Sequence, residues 1–278
     1  MAELNRLLQQ RHSLYRGLLA VEVIALVGLR GLQEAPRLVS VVYLVISGVA
    51  VILDSPLLPR NRLNLKPAAT PSAPPHLVRR VQNVLARRIQ LVIGWLLALG
   101  VEVIWQAALV LNPPLAVQLS VIHLLIWLVL MLALLWKLVN ALAEEPFFNG
   151  NLLVGAAAGY LLVGFTGGIV LKSLLVLDPA AFNLPAHGHD LPDGVGHAPA
   201  MLGAAFASLT TLGSPALKTD SLTSLTAGVA ITIVGQLYVA ILIAGILGKP
   251  RQQTADRRAA HLQRRSASRS SKLSRQRR

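Results

Sequence analysis

Residues 199–213 read Pro199-Ala200-Met201-Leu202-Gly203-Ala204-Ala205-Phe206-Ala207-Ser208-Leu209-Thr210-Thr211-Leu212-Gly213, a run of apolar and small residues with Ser208, Thr210 and Thr211 near its end. Pro199–Leu212 is too short to cross a bilayer, for which a helix needs about 20 residues, but it suits a helix that dips in and returns. Pro199 fits a helix start, where its missing N–H is not needed. Gly213 fits the point where the backbone leaves helical geometry. A helix that enters from outside and stops in the membrane points a C-terminal dipole end, about half a negative charge, into the interior. Several such ends around one axis would attract cations. The extended backbone after them could offer carbonyl oxygens in place of hydration water, provided it lines a water-filled path. Span, re-entrant helix, filter-like segment and span is therefore the expected arrangement, and because one chain supplies one such unit, a closed pore requires a symmetric oligomer.

The rest of the 278-residue chain agrees with a membrane setting. Hydrophobic residues make up 54% and charged residues 14%, with a mean hydropathy of +0.59. A soluble domain carries about 25% charged residues, so this chain cannot cover a water-facing surface in the usual way. It has no cysteine, which excludes disulfides, thiol catalysis and thiolate metal sites. Four runs are long and apolar enough to span: Ile89–Leu111 (broken only by Glu102), Leu115–Trp136, Leu152–Leu171 and Leu222–Gly248. Leu38–Leu53 is clean but short, and Leu14–Leu32 contains Arg16, Glu22 and Arg30. All 16 prolines fall outside these six windows, as uninterrupted helices require.

The net charge of +14 then orients the chain. With the N-terminus inside, 22 of the 26 Lys and Arg collect on the cytoplasmic side, including seven between Arg60 and Arg88 and eleven from Lys249 onward. Arg30, Arg37, Lys172 and Lys218 fall on or near the outer side. The expected organisation is an all-α membrane protein of six spans with both termini cytoplasmic. Residues 1–13 form a cytoplasmic segment, 14–53 the first two spans, and 54–88 a Pro-rich basic linker. Residues 89–142 form the third and fourth spans, 143–248 a pore module, and 249–278 a disordered basic tail. The fourth span carries no Arg or Lys before Lys137, so it has no charges with which to sense voltage.

The pore-module reading gains a second support. Ala205-Phe206-Ala207-Ser208-Leu209-Thr210-Thr211-Leu212-Gly213, followed by Gly235-Gln236-Leu237-Tyr238-Val239-Ala240-Ile241-Leu242-Ile243-Ala244, resembles the pore module of bacterial potassium-channel-like proteins. Gly159-Tyr160-Leu161-Leu162-Val163-Gly164 and Asp178-Pro179-Ala180-Ala181-Phe182 look like that family's outer helix and the start of its turret. The resemblance covers about Leu152–Gly248. It implies a homotetramer in the bacterial inner or an internal membrane, passing monovalent cations at Thr210, Thr211, Leu212, Gly213 and Ser214. Gly228 and Gly235 would be candidate hinges in the inner helix; with Gly245, they can equally be close-packing residues. One departure matters. Where the family has Tyr-Gly-Asp, this chain has Ser214-Pro215-Ala216. Pro215 fixes φ near −65° and removes an N–H, Ser214 lacks the ring that braces the filter, and Ala216 lacks the carboxylate. The inner half of a filter remains possible, whereas full potassium selectivity is not supported. A non-conducting scaffold or sensor on the same fold is the alternative.

Several other polar residues stand out. Glu22, Glu102 and His123 lie within spans, where ionisable groups are rare. Glu22 can pair with Arg16, and Glu102 with His123 on the neighbouring helix, as proton-linked or purely structural pairs. A proton-coupled transporter built on them would call for broken helices in matched halves, which the sequence lacks. Val21-Glu22-Val23-Ile24 recurs as Val101-Glu102-Val103-Ile104, an echo that chance explains in so apolar a chain. His187, His189, Asp190, Asp193 and His197 cluster in the outer loop, where they could bind a transition metal or sense pH, or simply form a polar loop. The basic tail is suited to anionic lipids, or to nothing beyond setting topology. Its lack of aromatic residues for base stacking argues against nucleic acid. No nucleophile–base arrangement or phosphate loop points to an enzyme, and no cofactor is implied.

Overall fold

A computed structural model describes residues 2–54, 75–143, 150–184 and 196–244. The described chain is all-helical. Helix α1 runs Ala2–Val27, α2 Leu29–Glu34, α3 Leu38–Asp54, α4 Pro75–Leu111, α5 Pro113–Ala143 and α6 Gly150–Leu177. A 3-10 turn at Pro179–Ala181 precedes α7, Ala198–Leu209, and α8 spans Leu222–Ala244. Among the described residues the only β pairing is an isolated bridge between Phe182 and Leu217.

Four helical stretches are long and apolar enough to cross a membrane: Gln90–Leu111, Pro113–Ala143, Gly150–Leu177 and Leu222–Ala244. These coincide with the four clean runs in the sequence. The apolar part of α3, Leu38–Ile52, is shorter. Large apolar side chains such as Ile24, Ile104, Leu125 and Ile241 face outward, 58–69% exposed. In water that would be costly; facing lipid tails it is not.

Breakers in the sequence set most of the boundaries. Pro36 prevents α2 from running into α3. Asn112, followed by two prolines, turns α4 into α5 and accepts the Leu115 N–H at 3.4 Å through its side chain. Several boundaries differ from the sequence expectation: the expected first span breaks at Gly28 between α1 and α2, α5 continues past Trp136 to Ala143, and α7 ends at Leu209 instead of reaching Gly213. α4 begins at Pro75, so residues 75–88, expected to be linker, are helix. Proline suits a first turn, and no further Pro or Gly occurs before Gly94, so the helix propagates from the apolar span at little cost. α6 likewise continues past Leu171 to Leu177, two residues short of Pro179. This carries Lys172 into the helix, where it is 6% exposed, rather than leaving it at the outer edge.

α6 is the central helix. Of its most apolar window 61% is buried, against 22% for α8. α1, α5 and α7 all pack on it. α7 presses closest, because Gly164, Gly167 and Gly168 leave α6 without side chains along one stripe. A Cβ at Gly164 would collide with the ring of Phe206, and one at Gly168 would lie 2.8 Å from Leu202 Cδ1. Phe206 fills the notch and meets Phe165 edge-on, with centroids 5.2 Å apart.

Candidate functional site

Two sites carry polar chemistry into this apolar bundle. The first follows α7. Nine of its twelve residues are buried, so the short helix is enclosed, with α6 on one side and α8 meeting its end. Gly235 of α8 makes room there, since a Cβ would lie 2.5 Å from Leu209 Cδ1, and a Cβ at Gly228 would lie 3.0 Å from Leu217 Cδ1. Both glycines sit within unbroken helix and in tight contact. Gly245 lies outside the described residues.

Helix ends leave four carbonyls without intrahelical partners, and at α7 all four are engaged. Phe206 O accepts the Thr210 N–H and hydroxyl at 3.0 and 2.8 Å. Ala207 O accepts the N–H groups of Leu212 and Gly213 at 2.8 and 3.1 Å. Ser208 O accepts the Thr211 N–H at 3.0 Å and the Thr232 hydroxyl at 2.7 Å. Leu209 O accepts the Tyr160 hydroxyl at 3.1 Å. The expected dipole end is thus capped by protein donors, so it offers little free carbonyl charge to an ion.

The free oxygens come next. Thr211 has φ 64° and Gly213 φ 72°, so two left-handed residues within three turn the chain sharply. Glycine takes this conformation without cost and threonine does not. Among the described residues no hydrogen-bond donor reaches the carbonyls of Thr210, Thr211, Leu212 or Gly213. Leu212 is 83% exposed. Beyond Gly213 the chain turns instead of extending, with the Leu217 N–H bonded to Ser214 O at 3.2 Å. It is then clasped to the start of the outer loop. The Asn183 N–H donates to Ala216 O at 2.9 Å, Lys218 Nζ to Ala180 O at 2.8 Å, and the Thr223 hydroxyl to Asp178 Oδ2 at 3.0 Å.

The second site is a buried polar cluster shared by α3, α4, α5 and α6. His123 Nε2 and Glu102 Oε2 lie 2.6 Å apart, so the pairing expected from the sequence is present. Trp127 Nε1–H donates to the same oxygen at 3.1 Å. Gln106 Nε2 donates to Glu102 Oε1 and to Ser40 Oγ, each at 2.9 Å. Trp105 stacks on His123 with centroids 4.4 Å apart and planes within 4°, while its Nε1–H reaches Ser120 Oγ at 3.0 Å. Lys172 Nζ sits 5.1 Å from the centroid of the same indole. That Gln106, Trp105, Trp127 and Lys172 belong to this site was not anticipated. The one available signal was their spacing: Trp105 and Gln106 fall three and four residues after Glu102, and Trp127 four after His123, one helical turn each.

Glu22 is a correction. It does not pair with Arg16, whose guanidinium donates to Asn151 Oδ1 at 3.1 Å. Glu22 is fully buried, and among the described residues neither carboxyl oxygen has a hydrogen-bond partner. The two Val-Glu-Val-Ile segments therefore share a buried Glu and an outward Ile but differ in the surroundings of the carboxyl group. His197 is buried at the start of α7, and His187, His189, Asp190 and Asp193 lie outside the described residues, as do the basic tail and residues 55–74. Among the described residues no three His, Asp or Glu gather as a metal site.

No family model matches this chain, and no curated protein or solved structure matches it. Its function has to be argued from these two sites.

Proposed function

We propose that the chain is the subunit of a homotetrameric membrane assembly that passes monovalent cations, with Thr210, Thr211, Leu212, Gly213 and Ser214 nearest the ion path. One observation carries this reading. A helix too short to span is held buried between two helices of spanning length, and it is followed by a sharply turned segment in which the carbonyls of Thr210, Thr211, Leu212 and Gly213 have no hydrogen-bond donor among the described residues. Unpaired carbonyls in a membrane protein are costly unless water or an ion satisfies them. The buried residues of α8 form a single stripe, Ser224, Ala227, Gly228, Ile231 and Gly235. The remaining surface is open to neighbouring subunits or to lipid, which suits a ring around a central axis. In this reading α1 and α3 complete six crossings, the termini are cytoplasmic in the inner or an internal membrane, and the basic tail meets anionic lipid.

The alternative is a non-conducting scaffold or sensor on the same fold, and the turn from Ser214 to Leu217 favours it. A turn there withdraws the outer half of a filter and leaves only the inner oxygens. Cation flux into liposomes containing the purified chain, with and without Thr211→Ala, separates the two readings. Conduction predicts flux that changes in rate or ion preference with Thr211→Ala. Absence of flux in every monovalent salt refutes conduction, and flux indifferent to Thr211 moves the ion path elsewhere.

A further inference from the structure

The Glu102 cluster is unused by the proposed conduction, and its geometry distinguishes the two nitrogens of His123. Glu102 receives N–H groups from Gln106 on Oε1 and from Trp127 on Oε2. A carboxylate is an acceptor on both oxygens. A carboxylate already holding these two donors takes a third from His123, so Nε2 bears the imidazole proton. Nδ1 is then the lone-pair nitrogen. It is buried without a hydrogen-bond partner among the described residues, so burial strips the lone pair of water and gives it nothing in exchange. The charged groups that act on His123 are Glu102 from α4 and Lys172 from α6. From α3 the nearest titratable side chain is Tyr43, which lies behind Trp127 with ring centroids 6.4 Å apart. With Glu102 ionised, Lys172 protonated and His123 neutral, the cluster carries no net charge.

We infer that His123 is an intramembrane proton-binding site whose Nδ1 takes up and releases a proton, and that Lys172 on α6 senses the change. A hydronium ion gives up a proton: its O–H bond breaks as the Nδ1–H bond forms on the imidazole lone pair, water is left behind, and the cluster gains one positive charge. That charge appears on a ring stacked against Trp105, the indole that also holds the Lys172 ammonium. Glu102 attracts the new imidazolium and Lys172 repels it. Repulsion in a site of low dielectric is strong, and Lys172 relieves it by leaving the indole. Its helix is the one whose glycine stripe seats α7, so the proton acts on the element that ends at Leu209. The site itself does not depend on ion conduction, and its test does not use flux.

The test is a 15N imidazole titration of the full chain in lipid nanodiscs, histidine-labelled, over about pH 4 to pH 9. The His123 signal is identified by its loss in His123→Gln. The expected result is a single step in which the Nδ1 resonance passes from the lone-pair to the protonated position. Lys172→Met removes the like charge at similar volume and should move that step to higher pH by about one unit, a tenfold gain in proton affinity. Glu102→Gln should move it to lower pH. A His123 Nδ1 signal that keeps one state over the whole range overturns the proposal. So does a step that sits at the same pH in Lys172→Met as in the parent chain. The parent titration decides the first point even where a variant fails to fold.

Discussion

The same substitution at two buried glutamates should change stability in opposite directions. Glu→Met keeps length and rough volume while deleting the carboxyl group. At position 22 the carboxyl is fully buried and neither oxygen has a partner among the described residues. Each unsatisfied buried group costs about 1–3 kcal/mol, so Glu22→Met should stabilise by about 2 kcal/mol. At about 2–4 °C per kcal/mol for a domain of this size, the midpoint should rise by roughly 4–8 °C. At position 102 the carboxylate accepts from Gln106, Trp127 and His123. Glu102→Met would orphan the Trp127 and His123 donors, leave Gln106 with only its bond to Ser40, and deprive Lys172 of its opposite charge, a loss of about 2–6 kcal/mol. Thermal unfolding in nanodiscs, followed by far-ultraviolet circular dichroism, measures both. The reasoning is refuted if the two variants shift in the same direction, or if Glu22→Met is the more damaging.

Further outcomes follow from α7 and its surroundings. Gly164→Leu places a branched side chain where the Phe206 ring sits and should cost at least 1–3 kcal/mol, about the usual penalty for overpacking; the same unfolding measurement detects it. Thr232→Val deletes the hydroxyl that reaches Ser208 O at 2.7 Å and should cost about 1 kcal/mol, with faster amide exchange at the end of α7 as a local readout. Gly213→Ala places a Cβ at φ 72° and should cost about 1–2 kcal/mol. No side chain stands within 4 Å of that position, so the loss should be conformational alone and a crystal or cryo-EM structure should show a relaxed turn, not a clash.

The helices were largely legible because their signals are local. Four apolar runs reappear inside four helices long and apolar enough to span, and α7 begins one residue before Pro199. The ends that moved did so where no breaker stood. Arg79, Arg80, Arg87 and Arg88 made residues 75–88 look like linker, yet charge does not stop a helix, whereas Pro and Gly do. The pair Glu102 and His123 was readable because two ionisable residues in adjacent spans have few partners to choose from. Glu22 and Arg16 fall within one span and did not pair. Six residues apart on one helix, they lie far around the helical wheel from one another.

By itself the sequence determined a largely helical chain with four apolar runs of membrane length, and a short helix starting beside Pro199; its stop, expected at Gly213, comes at Leu209. Those are matters of apolar run length and backbone chemistry, which neighbours in the chain decide. Tertiary structure alone decided that the carbonyls ending α7 are capped by Tyr160, Thr232 and the following backbone, that Lys172 shares an indole with His123, and that Glu22 lies buried without a partner among the described residues. Each depends on atoms far apart in sequence brought together by helix packing, and no periodicity along the chain encodes which side chains meet there.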